Sequence, residues 1–239
     1  MVAAAEVRDG VRDRVRQVVG DPVRTYKRRG SRITAGQADA RARLWSRLGI
    51  AVDGRPLDLP ALFGRRAPVV LEIGFGMGEA TAAMAEAQPE RDVLAVDVHA
   101  PGQGALLRLL DQGAIPNVRV LDGDALTVLG EMLAPASLDE VRVFFPDPWP
   151  KRRHEKRRLV SREFADLVAD RLAAGGRLHV ATDWPAYAKQ VRRVLSAHQA
   201  FELANRVPWR PSTRFEDLGI TAGRPSYDLM AVRMPTTRP

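Results

Sequence analysis

"VVLEIGFGMGEATAAMAEAQ", residues 69–88, runs from an apolar strand-like segment through a glycine-rich turn into a helical stretch of small residues. The same alternation continues downstream. Apolar runs DVLAVDV (92–98), NVRVLDG (117–123), EVRVFFPD (140–147) and RLHVATDW (177–184) are separated by helical stretches. Those stretches are GALLRLLDQG (104–113), LTVLGEML (126–133) and SREFADLVADRLAAGG (161–176). Strands rich in Val and Leu, spaced by segments long enough for crossover helices, predict a mostly parallel sheet with helices on both faces. Right-handed crossovers make this a doubly wound α/β fold, and ligands in such sheets bind beyond the carboxyl ends of the strands.

Those ends carry acids. Glu72 precedes the turn of Gly74, Gly76 and Gly78, and Asp97, Asp124, Asp147 and Asp183 close the next four runs. One strand-end Asp commonly starts a turn or caps a helix. Five in step predict a shared acidic rim. A dinucleotide pyrophosphate suits it badly, because Glu79 stands at the third small position of the G-x-G-x-x-G/A fingerprint. Two like charges about 4 Å apart repel by about 4 kcal/mol at an effective dielectric near 20. A nucleoside bearing positive charge fits better, and S-adenosylmethionine is one: its sulfonium and amino group are cationic, and its ribose and adenine offer donors to carboxylates. Asp97, 23 residues after Gly74, is placed on the ribose, Asp124 near the adenine and Glu72 at the methionine end.

The fourth run leads into FFPDPWPKRRHEKRR, residues 144–158. There Asp147 is delivered to where a donated methyl group meets its acceptor. The basic run KRRHEKRR (151–158) suits the phosphates of a nucleic-acid acceptor. Trp149 either stacks on a base or packs beneath the loop.

Composition bounds the alternatives. The 239 residues carry a net charge of +8. Within residues 1–47, twelve Lys/Arg face five Asp/Glu, so nearly all of the excess lies there. The sequence therefore predicts a basic, partly flexible arm over 1–47 and a catalytic domain over 48–239. Within the arm, Val7, Val11, Val15, Val18 and Val19 outline a short amphipathic helix, and 24–37 reads as a mobile basic loop. The chain has no Cys, which removes disulfides, thiolate zinc sites and a cysteine nucleophile. Methylation at pyrimidine C5, which normally needs that nucleophile, is thereby disfavoured. No pair among the four His residues has metal-ligand spacing, so no metal is expected. Without a run of about 18 apolar residues, or a signal-peptide core before the first charges, a soluble cytoplasmic protein is expected.

Taken together, LEIGFGMGEAT, VDVHAPGQGALL, FFPDPWPKRRHEKRRLV, LHVATDWPAYA, STRFEDLG and SYDLMAVR resemble the bacterial tRNA (guanine-N7-)-methyltransferase family. The likeness spans residues 24–234. It implies a Rossmann-like S-adenosylmethionine-dependent fold with a seven-stranded sheet, and methyl transfer to N7 of a guanosine in the tRNA variable loop. Carried over, Glu72, Gly74, Gly76, Gly78, Asp97, Asp124 and Asp147 contact the donor, and Asp147 is also catalytic. Lys151, Asp183, Thr213, Arg214, Phe215 and Glu216 bind substrate. Arg28, Arg29, Arg32, Arg152, Arg153, Arg157 and Arg158 are expected at tRNA phosphates. The family usually has Glu at the place of Asp97 and Lys at that of Arg214. The expected partner is tRNA, with no membrane and no obligatory protein, for a monomer or homodimer. Three alternatives stay open: another RNA position or an exocyclic amine (PDPW resembles an amino-methyltransferase motif), a nicotinamide-dependent dehydrogenase, and a noncatalytic RNA-binding module.

Overall fold

The computed structural model describes residues 25, 26 and 32–235. The expected helix at 5–19 and Arg28 and Arg29 lie outside the described residues. The elements are α1 (Ala35–Leu48), β1 (Gly49–Ala51), α2 (Leu59–Phe63), β2 (Val69–Ile73), α3 (Glu79–Ala87), β3 (Asp92–Asp97), α4 (Ala100–Gln112) and β4 (Val118–Asp122). After these come α5 (Ala125–Thr127), running into a π turn (Val128–Met132), β5 (Leu138–Phe144), a 3-10 turn (Arg152–Arg157) and α6 (Arg162–Arg171). The chain closes with β6 (Leu172–Thr182), α7 (Pro185–Ser196), β7 (Phe201–Leu203), α8 (Arg214–Thr221) and β8 (Tyr227–Arg233).

The sheet order is β1-β4-β3-β2-β5-β6-β8-β7. Pairing is parallel from β1 to β6, and β8 runs antiparallel to β6 and β7. The expected doubly wound sheet is present, with the short edge strand β1 as an eighth member. Chain order runs outward from β2 through β3 and β4, then restarts on the other side of β2 with β5. That reversal is a topological switch point, where a crevice opens beyond the strand ends.

Every residue of β2 is buried. Its side chains alternate between two cores, as the twofold strand period requires. Val69, Leu71 and Ile73 join Val141, Val143, Phe164, Val168 and Val191 on one face. Val70 joins Val93, Val120, Leu106, Leu107 and Leu110 on the other.

Helix α1 belongs to the second core through Ala40, Leu44 and Leu48, and it packs on α4. Its start is fixed by a capping box. Thr34 Oγ1 accepts from the Gln37 backbone, and Gln37 Oε1 accepts from the Thr34 N–H. The boundary drawn at 47/48 therefore falls inside a helix packed on the domain, and the last residues read as a mobile loop begin that helix. A second difference concerns 161–176. The helix ends at Arg171, and Leu172–Gly176 open β6, where Leu172 pairs with Leu138. Two glycines at 175–176 disfavour helix, and the β5–β6 ladder shifts register between the Leu138–Leu172 and Glu140–Arg177 pairs.

Among the described residues no helix is long and apolar enough to cross a membrane.

Candidate functional site

The crevice at the switch point is built on the turn after β2. Gly74, Gly76 and Gly78 have φ of 78°, 62° and 86°, left-handed values that side chains resist. The turn is tied down from β3 and α4. Gly74 N–H donates to Val96 O at 2.9 Å, and Gly76 N–H to Asp97 Oδ2 at 3.1 Å. A methyl group on Gly102 would fall 1.9 Å from Gly76 O, so the first turn of α4 docks against the loop only because that position is bare.

Glu72 is 3% exposed at the end of the central strand. Its Oε1 accepts from Thr81 Oγ1 of α3 at 2.8 Å, while Oε2 is buried without a hydrogen-bond partner. Burial raises its pKa, with Arg142 on the adjacent strand opposing the rise. A buried, half-satisfied carboxylate is costly, and a cationic donor would relieve it.

Asp97 ends β3. Its Oδ1 accepts from His99 N–H at 3.0 Å, opposite the bond from Gly76, so it braces the glycine turn against the start of α4. Burial raises its pKa against those backbone donors. Asp124 caps α5 through Leu126 N–H at 2.9 Å, and burial raises its pKa also. Its neighbour Asp122 is committed elsewhere, to Arg41 at 2.7 Å and Gln103 at 2.8 Å.

Asp147 lies half-buried in the loop after β5. On either side of it, Phe145 and Trp149 have φ of 51° and 43°. Two non-glycine residues in the left-handed region are unusual and mark stored strain. The surrounding structure holds them there. Phe145 N–H donates to Ala181 O at 2.8 Å. Trp149 is buried, its Nε1 donating to Thr25 O at 3.1 Å, with Arg157 over its ring and His154 at its edge. Of the two roles open to Trp149, packing is the one adopted.

The basic run divides in two. Lys151, Arg152 and Arg153 are exposed, as is Arg32. Arg158 corrects the expectation of a phosphate contact. It is 4% exposed, and it donates to Pro148 O at 2.8 Å and to Gln190 Oε1 at 2.7 Å while lying over Tyr187. Its guanidinium holds the Asp147 loop from beneath and cannot also meet a polyanion.

On the far side of β6, Thr213 caps α8 by accepting from Glu216 N–H at 3.2 Å. Arg214 and Phe215 are exposed, and a methyl group on Gly76 would meet Phe215 Cε2 at 3.6 Å. The TRFE segment and the glycine turn, 139 residues apart at Gly76 and Phe215, thus face one another. Asp183 accepts from Arg224 at 2.8 Å.

The group the sequence reading missed is Arg210. It bridges Glu216 (2.5 and 2.9 Å) and Asp228 (2.7 and 2.8 Å), with its guanidinium over Phe144 and Phe145. Hydrogen bonds from Arg210 lower the Glu216 pKa. Burial opposes the same effect at Asp228, but His179 and Arg210 prevail and hold it down to about 2. No local spacing signals this network, whose members come from a loop, a helix and a strand.

A cavity elsewhere is lined by Leu59, Arg65, Val69 and Asp92, at the starts of β2 and β3. Its Arg65 and Asp92 pair with each other at 2.7 Å.

Comparison with known proteins bears on the fold and the family. The family model described as "Putative methyltransferase" matches residues 66–229. A tRNA (guanine-N(7)-)-methyltransferase of Streptomyces avermitilis is 54% identical over 219 residues, covering 89% of this chain and 76% of that one. The protein of the same name from Nitrosospira multiformis is 46% identical, covering 87% and 93%. Among solved structures, the aminoglycoside resistance methyltransferase NpmB1 aligns with a TM-score of 0.51 at 16% identity, over 85% of this chain and 95% of that one. The 16S rRNA (adenine(1408)-N(1))-methyltransferase of Catenulisporales acidiphilia, solved with the cosubstrate SAM, aligns at 0.50 and 19%, over 74% and 90%. At such identities the structures establish the shared methyltransferase fold. The curated relatives establish more: the chain belongs to the tRNA (guanine-N7-)-methyltransferase family.

Proposed function

We propose that the chain transfers a methyl group from S-adenosylmethionine to N7 of a guanosine in the variable loop of tRNA. The observation that carries this is the position of Glu72, whose Oε2 is buried without a partner at the switch point, with Asp97, Asp124 and Asp147 along the same rim. That set suits a cationic nucleoside and repels a pyrophosphate. When bound, S-adenosylmethionine supplies an electrophilic methyl carbon on a sulfonium.

The residues then divide the work. Glu72 accepts from the amino acid end, Asp97 from the ribose and Asp124 from the adenine, while the positive-φ glycines let the backbone approach. Guanine N7 carries an exposed lone pair, so no proton leaves before attack and no strong general base is required. The burden falls on alignment and on the positive charge that develops on the base. Asp147 meets it either by accepting from guanine N1–H and the exocyclic amine or by facing that charge. Lys151, Arg152 and Arg153 supply exposed charge for RNA phosphates, and Thr213 to Glu216 close the acceptor side. The expected setting is the cytoplasm, where tRNA is found.

Incubation with labelled S-adenosylmethionine and unmodified tRNA, followed by nucleoside identification, tests the reading. The expected product is 7-methylguanosine in the variable loop. Label in an exocyclic amine or at another RNA position overturns the site assignment, and no transfer overturns the activity.

A further inference from the structure

Five of the seven exposed large hydrophobic side chains among the described residues lie between 207 and 220: Val207, Trp209, Phe215, Leu218 and Ile220. Trp209 is the most open of them at 63%. Exposure on this scale, beside a site, marks a binding surface.

The ring is presented by a stiff segment. Pro208 and Pro211 flank it and restrict the backbone. Its neighbour Arg210 is pinned to β8 through Asp228, to α8 through Glu216 and over Phe145, two positions before Asp147. Trp209 is therefore held beside the loop that carries the candidate catalytic carboxylate. Two guanidiniums of the same segment, Arg206 and Arg214, are exposed beside it, while Glu216 is paired with Arg210 and Asp217 is exposed. An aromatic face beside exposed guanidiniums, carried on a backbone restricted by two prolines, matches the way proteins hold unpaired nucleotides, by base stacking with charge along the backbone.

Resting on the proposed activity, we infer that Trp209 stacks on an unpaired nucleobase of the RNA next to the target guanosine, splaying the loop so that N7 reaches the site. Trp209 is thus a substrate-positioning residue that touches RNA without touching the reacting atoms.

The test compares the parent with Trp209→Leu and Trp209→Phe in filter binding of unmodified tRNA with S-adenosylhomocysteine present, and in steady-state methylation. Trp209→Leu, apolar but not aromatic, should weaken tRNA binding about tenfold and raise KM for tRNA correspondingly, with donor affinity unchanged. Trp209→Phe should recover most of that loss. Because stacking releases no counterions, the slope of log affinity against log salt should be the same in all three. Three results overturn the inference: Trp209→Leu binding like the parent, Trp209→Phe failing as badly as Trp209→Leu, or sedimentation showing a dimer that Trp209→Leu dissociates. The last assigns the patch to a second copy of the chain. If the parent binds tRNA in this way yet makes no 7-methylguanosine, the proposed activity fails while the stacking assignment stands.

Discussion

Replacing Arg210 with Met removes a guanidinium that is 7% exposed and keeps most of its apolar stem. Left behind are the carboxylates of Glu216 and Asp228, 13% and 27% exposed. Breaking a buried ion pair by removing one partner costs about 3–5 kcal/mol, and the partial exposure of Asp228 points to the lower end, about 3 kcal/mol. Against a total stability of about 5–15 kcal/mol the loss is readily measured by urea denaturation at pH 7. Its pH dependence follows from Asp228. A carboxylate depressed from 3.8 to about 2 gives about 2 kcal/mol, fully present above pH 4 and lost as pH falls through about 2. Parent and variant should therefore differ most near neutrality and converge as the medium is acidified below pH 4. A cycle with Asp228→Asn isolates the pair, since His179 remains as the other partner of Asp228. A loss below about 1 kcal/mol, a gap independent of pH, or strict additivity in the cycle would refute the view that Arg210 fastens α8 to the sheet.

Glu72→Gln should weaken donor binding about 10- to 100-fold by calorimetry, the effect of removing a charge-assisted hydrogen bond. Without donor, the same change should stabilise the chain at pH 7, because a carboxylate with a raised folded pKa contributes stability below its unfolded pKa and loses it as pH rises through the folded one. Equal melting of parent and variant from pH 5 to 8 counts against the buried charge. Asp147→Ala should leave tRNA binding near the parental value and cut single-turnover methylation by about 100-fold or more; near-parental rates remove it from catalysis. Arg152→Ala with Arg153→Ala should weaken tRNA binding and flatten the salt slope by about one unit for each phosphate no longer neutralised, and an unaltered slope assigns that surface no phosphates.

The fold was legible because buried parallel strands write their pattern locally: β2 to β6 appear as apolar runs, and each acid at a strand end reports where the strand stops. Helix α1 was missed although its signal is present, since Thr34 and Gln37 form a T-x-x-Q capping box ahead of Ala40, Leu44 and Leu48 at helical spacing. Basic composition around it masked that pattern. The Arg210 network was not legible at all. Its partners lie 6 and 18 residues away in sequence and meet only because β8 returns antiparallel beside β6. Arg158 failed for the opposite reason: it sits in a charge run whose solvated character is an average, and one member of such a run can be buried.

That exception explains why a carboxylate at a strand end is followed by so much positive charge. The loop from Phe145 to Trp149 has two residues in a strained backbone region, and such strain persists only where neighbouring groups over-determine it. Arg158 holds Pro148 O from below, Arg157 covers the Trp149 ring, and Arg210 lies over Phe145. Long, planar, permanently charged side chains can fasten a loop by its carbonyls and rings, and Asp147 is carried between the fastened points. Lys151, Arg152, Arg153 and Lys156 of the same run are exposed. One basic run thus fastens the loop of the carboxylate with its inner members and exposes charge with its outer ones. On the proposed function, an RNA docked on the outer members would be tied to the same short stretch of backbone that carries Asp147.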